Sequence, residues 1–334
     1  MSSTSSGPPV GANPFREPVP PARQWELVPI AARPVLVYQK GAVDIVASTA
    51  GLFIADSHTR AIVLYVPETG IEGPKYHVLA GDQTNPNRLA VDGDEAWWTN
   101  WGTVEGRKNV GGGRLPDGSF WTGRHGSDPR VLAKAKSVPR AVAVNASQVY
   151  FIEEGAGRLY SIERKDGGKL LPRYAVSSST TQLAAGGNDV FWIDGERGGL
   201  HKNGARVPGL EIPAYAHSLA YGRGILAWIE TQGRSSRIAR IAYPGLMFHP
   251  PRVLNVSERI DVAAFSSDCG QCFYASADGI RMIDLRADTP KILIATLDGK
   301  RTVRQLAWDE TRLFFVDEFG KVEALICPEW GAAR

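Results

Sequence analysis

The chain has 334 residues and a mass of 36.2 kDa, with 43% hydrophobic and 22% charged side chains. That is enough apolar matter for a core and too little charge for a disordered chain. A net charge of +3 is too small to neutralise a run of phosphates, which excludes a dedicated nucleic-acid binder. No apolar run approaches the roughly 18 residues of a membrane helix, and residues 1–23 carry no apolar leader segment. Three cysteines are too few, and odd in number, for a disulfide framework. The expectation is a soluble cytoplasmic protein with no membrane or nucleic-acid partner.

Residues 1–23 hold Pro8, Pro9, Pro14, Pro18, Pro20 and Pro21 among serines and glycines. Such a stretch cannot offset its ordering entropy by burial, so it is expected to be a disordered tail ahead of a single domain, residues 24–334.

The domain is built from a repeat. An aliphatic residue precedes an apolar, mostly aromatic, position by eight residues, and a polar or acidic residue follows three later. The copies in chain order are Ile45/Phe53/Asp56, Leu89/Trp97/Asn100, Val142/Tyr150/Glu153, Leu183/Phe191/Asp194, Leu219/Ala227/Glu230 and Leu306/Phe314/Asp317. A longer copy, Val262/Phe273/Ser276, stands in sixth place. The third landmark recurs at steps of 36 to 53 residues, the length of a four-stranded propeller blade. Short strand-like segments such as LFIAD, AWWTN, VYFIE and LFFVD alternate with turns at Asp92-Gly93, Asp166-Gly167-Gly168 and Gly186-Gly187-Asn188. No helical period is sustained. The expected fold is all-β, a seven-bladed β-propeller. Its last unit is one strand short after residues 321–327, and residues 35–38 are expected to supply that strand and close the ring.

The strings at residues 96–100 and 190–194, AWWTN and VFWID, resemble the YWTD-type propeller repeat, and Gly157-Arg158-Leu159 and Gly199-Leu200 fit its next strand. The resemblance extends over most of residues 40–327. More loosely, the chain is similar to the calcium-dependent propeller lactonases and the strictosidine-synthase group. These resemblances imply the fold; none of those families' catalytic signatures matches residue by residue, so no catalytic role is carried over.

In a propeller, the loop into each inner strand and the loop out of each second strand open on one face, the channel mouth. The first set here is Asp44, Asn87, Arg88, Arg140, Gln182, His217, Asp261, Arg304 and Gln305. The second is the repeat acid, whose recurrence points to hydrogen bonds with backbone N–H groups. Against that stands a Ca²⁺ or Mg²⁺ site of oxygen ligands, best served by Asp44, Asn87 and Glu153; otherwise no cofactor is implied. His217 stands where other blades carry Asn87 or Arg140, either as a packing histidine or as a general base. Arg88, Arg140 and Arg304, with Gln182, suit a carboxylate or phosphate. Trp101 and Trp121 flank a long insertion containing Gly111-Gly112-Gly113, which is either a binding loop or a long hairpin. Cys269 and Cys272 form a lone C-x-x-C, read as free thiols in a turn.

Two functions follow. The leading one is a binding protein or scaffold that holds a small molecule or a protein partner at the mouth and the Trp/Gly loop of the second blade. The alternative is an enzyme acting there on a small acidic metabolite, as hydrolase, lyase or cyclase. It would use His217 or Glu153 as base and arginines such as Arg140 against developing negative charge.

Overall fold

The computed structural model describes residues 35–39, 41–67, 73–102, 118–134, 139–153, 157–164, 169–243, 250–286, 292–296 and 301–326. The proline-rich tail, the Gly111–Gly113 segment, the turn at 166–168 and Cys327 lie outside them. The described residues form strands and turns with no helix, and hence none able to cross a membrane. The strands make seven four-stranded antiparallel sheets. Blade 1 spans residues 42–80, blade 2 86–134, blade 3 139–175, blade 4 183–206, blade 5 216–256 and blade 6 262–296. Blade 7 consists of Val303–Trp308, Arg312–Asp317 and Val322–Ile326, with Val35–Tyr38 paired to Val322–Ile326 as its outermost strand. Each inner strand contacts the inner strands of both neighbours, and Ala42–Ser48 meets Val303–Trp308, so the ring is closed. It is a seven-bladed β-propeller resembling YWTD-type repeats.

The repeat is the inner hairpin written in sequence. The ring position pairs with the residue after the aliphatic landmark: Val46 with Phe53, Ala90 with Trp97, Ala143 with Tyr150, Ala184 with Phe191, Ala307 with Phe314. Ala220 pairs with Ala227 in the same way; in the longer sixth copy Phe273 pairs with Ala264, two residues after Val262. An alanine opposite a large ring leaves room for the ring to turn across the strand pair.

Second strands read as continuous apolar runs because both faces of every blade are covered. Neighbouring residues point to opposite faces of the sheet. Phe53 therefore packs between blades 1 and 2 while Ile54 packs between blades 7 and 1. Trp97 faces blade 3 and Trp98 faces blade 1. Among the described residues the core is seven clusters, one at each junction between blades. Gly93 (φ 60°) and Gly187 (φ 59°) sit at the first central position of two-residue hairpin loops, where a left-handed backbone matches the strand twist.

Candidate functional site

Inner strands of five blades carry a bulge at the mouth. The register shifts between Ala42 and Asp44, Pro86 and Leu89, Pro139 and Ala141, His217 and Ala220, and Val303 and Gln305. A bulged residue leaves the ladder and its side chain is re-aimed. The residues so released are Val43 in blade 1, Asn87 and Arg88 in blade 2, Arg140 in blade 3, Ser218 and Leu219 in blade 5, and Arg304 in blade 7. Three of the four predicted anion-binding residues thus lie in the inner-strand bulges of blades 2, 3 and 7; Arg140 and Arg304 stand two residues before the aliphatic landmark, as Asn87 does, and Arg88 one residue before it. Gln182 lies just before the inner strand of blade 4 and is half-buried.

Asp44, one residue past the blade 1 bulge, is only 3% exposed. Its carboxylate accepts the Leu89 N–H from blade 2 (2.7 Å) and a bond from the Gln305 amide of blade 7, and the Arg88 guanidinium lies 4.0 Å away. Burial pushes its carboxyl up; Arg88 and those hydrogen bonds oppose the rise. Asp44 therefore joins three blades. Arg88 is half-exposed and Arg304 is exposed.

His217 is half-buried. Nδ1 is 3.0 Å from the Ser218 hydroxyl and Nε2 is 3.1 Å from Thr231 Oγ1. Thr231 donates its one proton to the Ile260 carbonyl (2.7 Å), so it accepts from Nε2–H, and Nδ1 is left as the acceptor for Ser218. Burial pulls the imidazole below its ordinary value, against the Ile260 carbonyl and Asp261. The ring is neutral near pH 7. Its supports, Ser218, Thr231 and Ser236, had no mark in the sequence; Ser218 is distinguished by its φ of 54° in the bulge.

Three of the repeat acids, Asp56, Asp194 and Asp317, tie their own turns. Asp56 accepts the N–H groups of His58 (2.7 Å) and Thr59 (3.1 Å) and the Tyr38 hydroxyl of the closing strand (2.6 Å). Asp194 accepts from the backbone of Glu196 (2.8 Å) and Arg197 (3.1 Å), and Asp317 from Phe319 and Lys321 (both 2.9 Å). Burial raises the Asp194 carboxyl, but those N–H groups, with the Ser177 side chain and His201, together hold it below the usual carboxylate range. Glu230 takes Trp228 Nε1–H (2.9 Å) and Arg237 (2.5 Å). Glu153 is 5% exposed and hydrogen-bonded to Tyr160. Asn100 donates to Gln83 Oε1 (2.9 Å), while its buried Oδ1 has no partner among the described residues. Among the described residues no three His, Cys, Asp or Glu side chains gather as metal ligands; Asp44 and Glu153 sit in different blades, each with partners of its own.

Trp101 is 42% exposed, with its backbone held to Asn85. Trp121 belongs to the third strand of blade 2, stacks on Trp98 (6.3 Å between centroids, 15°) and donates to Ser119. Cys269 and Cys272 are free and buried.

No protein-family model matches the sequence, and no curated protein is detectably similar to it. Solved structures are similar in shape. A catalytically inactive virginiamycin B lyase from Staphylococcus aureus, with quinupristin, matches with a TM-score of 0.60 at 14% identity, over 88% of this chain and 98% of its own. A streptogramin B lyase matches at 0.56 and 12% identity, over 87% and 95%. The computationally designed Ika8 protein matches at 0.56 and 14% identity, over 87% and 97%. At these identities the likeness concerns the propeller.

Proposed function

We propose that this protein binds a small anionic molecule, bearing a carboxylate or a phosphate, at the channel mouth. One observation carries the reading: the inner-strand bulges of three blades each release an arginine at the mouth, Arg88, Arg140 and Arg304. Guanidinium groups on the mouth rim of one closed ring supply planar donor pairs, which suit bidentate recognition of an oxyanion. Asp44, fixed by Leu89 and Gln305, lies 4.0 Å from the Arg88 guanidinium. Titration calorimetry of the full chain against monocarboxylates, dicarboxylates and phosphate monoesters tests it. A binder is expected among them, with Arg88→Ala and Arg304→Ala each weakening it about tenfold, the scale of one charge-assisted contact. Binding that neither substitution alters sinks the reading.

A second reading is favoured by His217. A neutral imidazole whose Nδ1 lone pair is held only by a serine hydroxyl has the protonation state of a general base, and two of the similar propellers are lyases. On this reading the bound acid undergoes proton abstraction and elimination, with the arginines opposing the developing negative charge. Following the bound molecule by NMR with native protein and with His217→Ala separates the two: turnover that depends on His217 marks an enzyme, and unchanged ligand marks a binding protein.

A further inference from the structure

On the mouth face, the turn of residues 318–321 in blade 7 lies against the start of the inner strand of blade 1. Asp317 pins that turn, accepting the N–H groups of Phe319 and Lys321 (both 2.9 Å). Across the seam, the Gly320 carbonyl accepts the Ala42 N–H (3.1 Å). Val43 follows Ala42 in the bulge, and Asp44 after it is bonded to Gln305 of blade 7. Val43 is thus fastened to blade 7 through the residue on either side. Two large apolar side chains stand exposed on this adjoining backbone, Phe319 at 75% and Val43 at 39%. Arg304, next to Gln305 in the blade 7 bulge, is exposed and makes no ion pair or side-chain hydrogen bond among the described residues.

A single exposed apolar residue is ordinary. Here, however, the backbone carrying Phe319 is already fixed at three points, so a ligand that covers the ring has little ordering entropy to overcome. The neighbouring carboxylates give the patch a direction. Asp44 and Asp317 are buried, and Asp317 is also held by Arg301 (3.2 Å). Glu318, on the same turn as Phe319, accepts the Thr302 N–H (2.8 Å). A second anionic group is therefore repelled at the Phe319 end, while an anion is attracted at Arg304.

We propose that the molecule held at the mouth is an arylalkyl monocarboxylate, with its carboxylate on Arg304 and its ring on Phe319 and Val43. This rests on the anion-binding reading of the mouth and adds the apolar half of the ligand. One guanidinium meets both carboxylate oxygens through parallel N–H donors. The ligand ring pairs with Phe319 in an offset or edge-on arrangement, and Val43 adds aliphatic contact. A short dicarboxylate would bring its second charge toward Glu318 and leave Phe319 uncovered.

Ligand-observed NMR titration of the full chain with 3-phenylpropionate, propionate and succinate tests it. The phenyl acid is expected to bind about fivefold tighter than propionate, the scale of one aromatic pair, and tighter than succinate. Phe319→Ala should reduce that preference to less than about twofold; the ring is exposed, so its loss leaves the core intact. Val78→Ala, at a 67% exposed position in the outer strand of blade 1, should keep the preference. A preference that survives Phe319→Ala, or that Val78→Ala abolishes, overturns the inference. Equal binding of the three acids overturns it too, and if that binding weakens in Arg304→Ala the anion-binding reading stands alone. Where none of the three binds but a phosphate monoester does, the inference again falls and the reading stands; where no anion binds, both fall.

Discussion

The side-chain amide of Gln305 pairs with the backbone of Ile45 across the seam of the ring, donating to its carbonyl (3.2 Å) and accepting its N–H (3.3 Å). The same amide bonds the buried carboxylate of Asp44. A side chain near the end of the chain thus completes the inner strand near its beginning, as a neighbouring strand would.

Replacing Gln305 with leucine keeps the volume and removes every one of these bonds. Ile45 N–H and one oxygen of Asp44 lose their partner, at a cost of about 1–3 kcal/mol. Urea unfolding should show a lower midpoint with little change in slope. An unchanged midpoint would mean that the seam does not depend on this amide.

The closing strand Val35–Tyr38 makes a second connection. Tyr38 donates to Asp56 (2.6 Å), Tyr76 donates to the Val37 carbonyl (2.5 Å), and Val37 is buried against blade 1. Burial, with the hydrogen bond to Asp56, pushes the Tyr38 phenol up to about 12, so it stays a donor through the neutral range. Tyr38→Phe should cost about 1 kcal/mol. Deletion through Gln39 should cost far more and expose Val322–Ile326 as a bare edge, producing self-association on size-exclusion chromatography. A monomeric deletion of native stability would contradict this account of closure.

His217 titrates with a defined sign. Burial lowers its folded value below that of the unfolded chain, about 6.5. The stability it contributes is therefore complete above about pH 6.5 and is lost as pH falls through the folded value. Between about pH 7.5 and about pH 5, His217→Gln should lose less stability than the native protein, as read by urea unfolding at each pH. Equal losses would place the acid sensitivity elsewhere; His77 and His201, also lowered by burial, are the alternatives.

The thiols of blade 6 should be inert while the protein is folded. Cys269 is 1% and Cys272 0% exposed, and burial raises both thiols, Cys269 to about 12. Thiolate is the reactive form. In a Cys327→Ser background, a disulfide reagent should label neither cysteine until denaturant opens the blade. Rapid labelling of the native protein would show that this junction opens on its own.

Much of the fold was legible in the sequence because the inner hairpin is local. The eight-residue spacing from Ile45 to Phe53 or from Leu306 to Phe314 is set by one turn and one register, and paired aromatics such as Trp97-Trp98 mark a strand buried on both faces. The candidate site was legible only as a set of positions. Arg88, Arg140 and Arg304 were identified from where they precede an aliphatic residue, whereas the bulges that release them arise from strand pairing. Trp121 shows how the reading runs out: its place beside the insertion suits a binding loop or a hairpin with packed tryptophans, and its stacking on Trp98 within blade 2 is visible only in the structure.

By itself the sequence determined the number of blades, the hairpin register, the ring positions and the strand that closes the circle, since each depends on residues near one another along the chain or on the count of repeats. Tertiary structure alone decided which partners the polar side chains found: Gln305 for Asp44 and Ile45, and Thr231 for His217. Those pairings depend on how distant or independently pleated strands are brought alongside, and hydrogen-bond geometry and charge act only over the few ångströms that packing supplies.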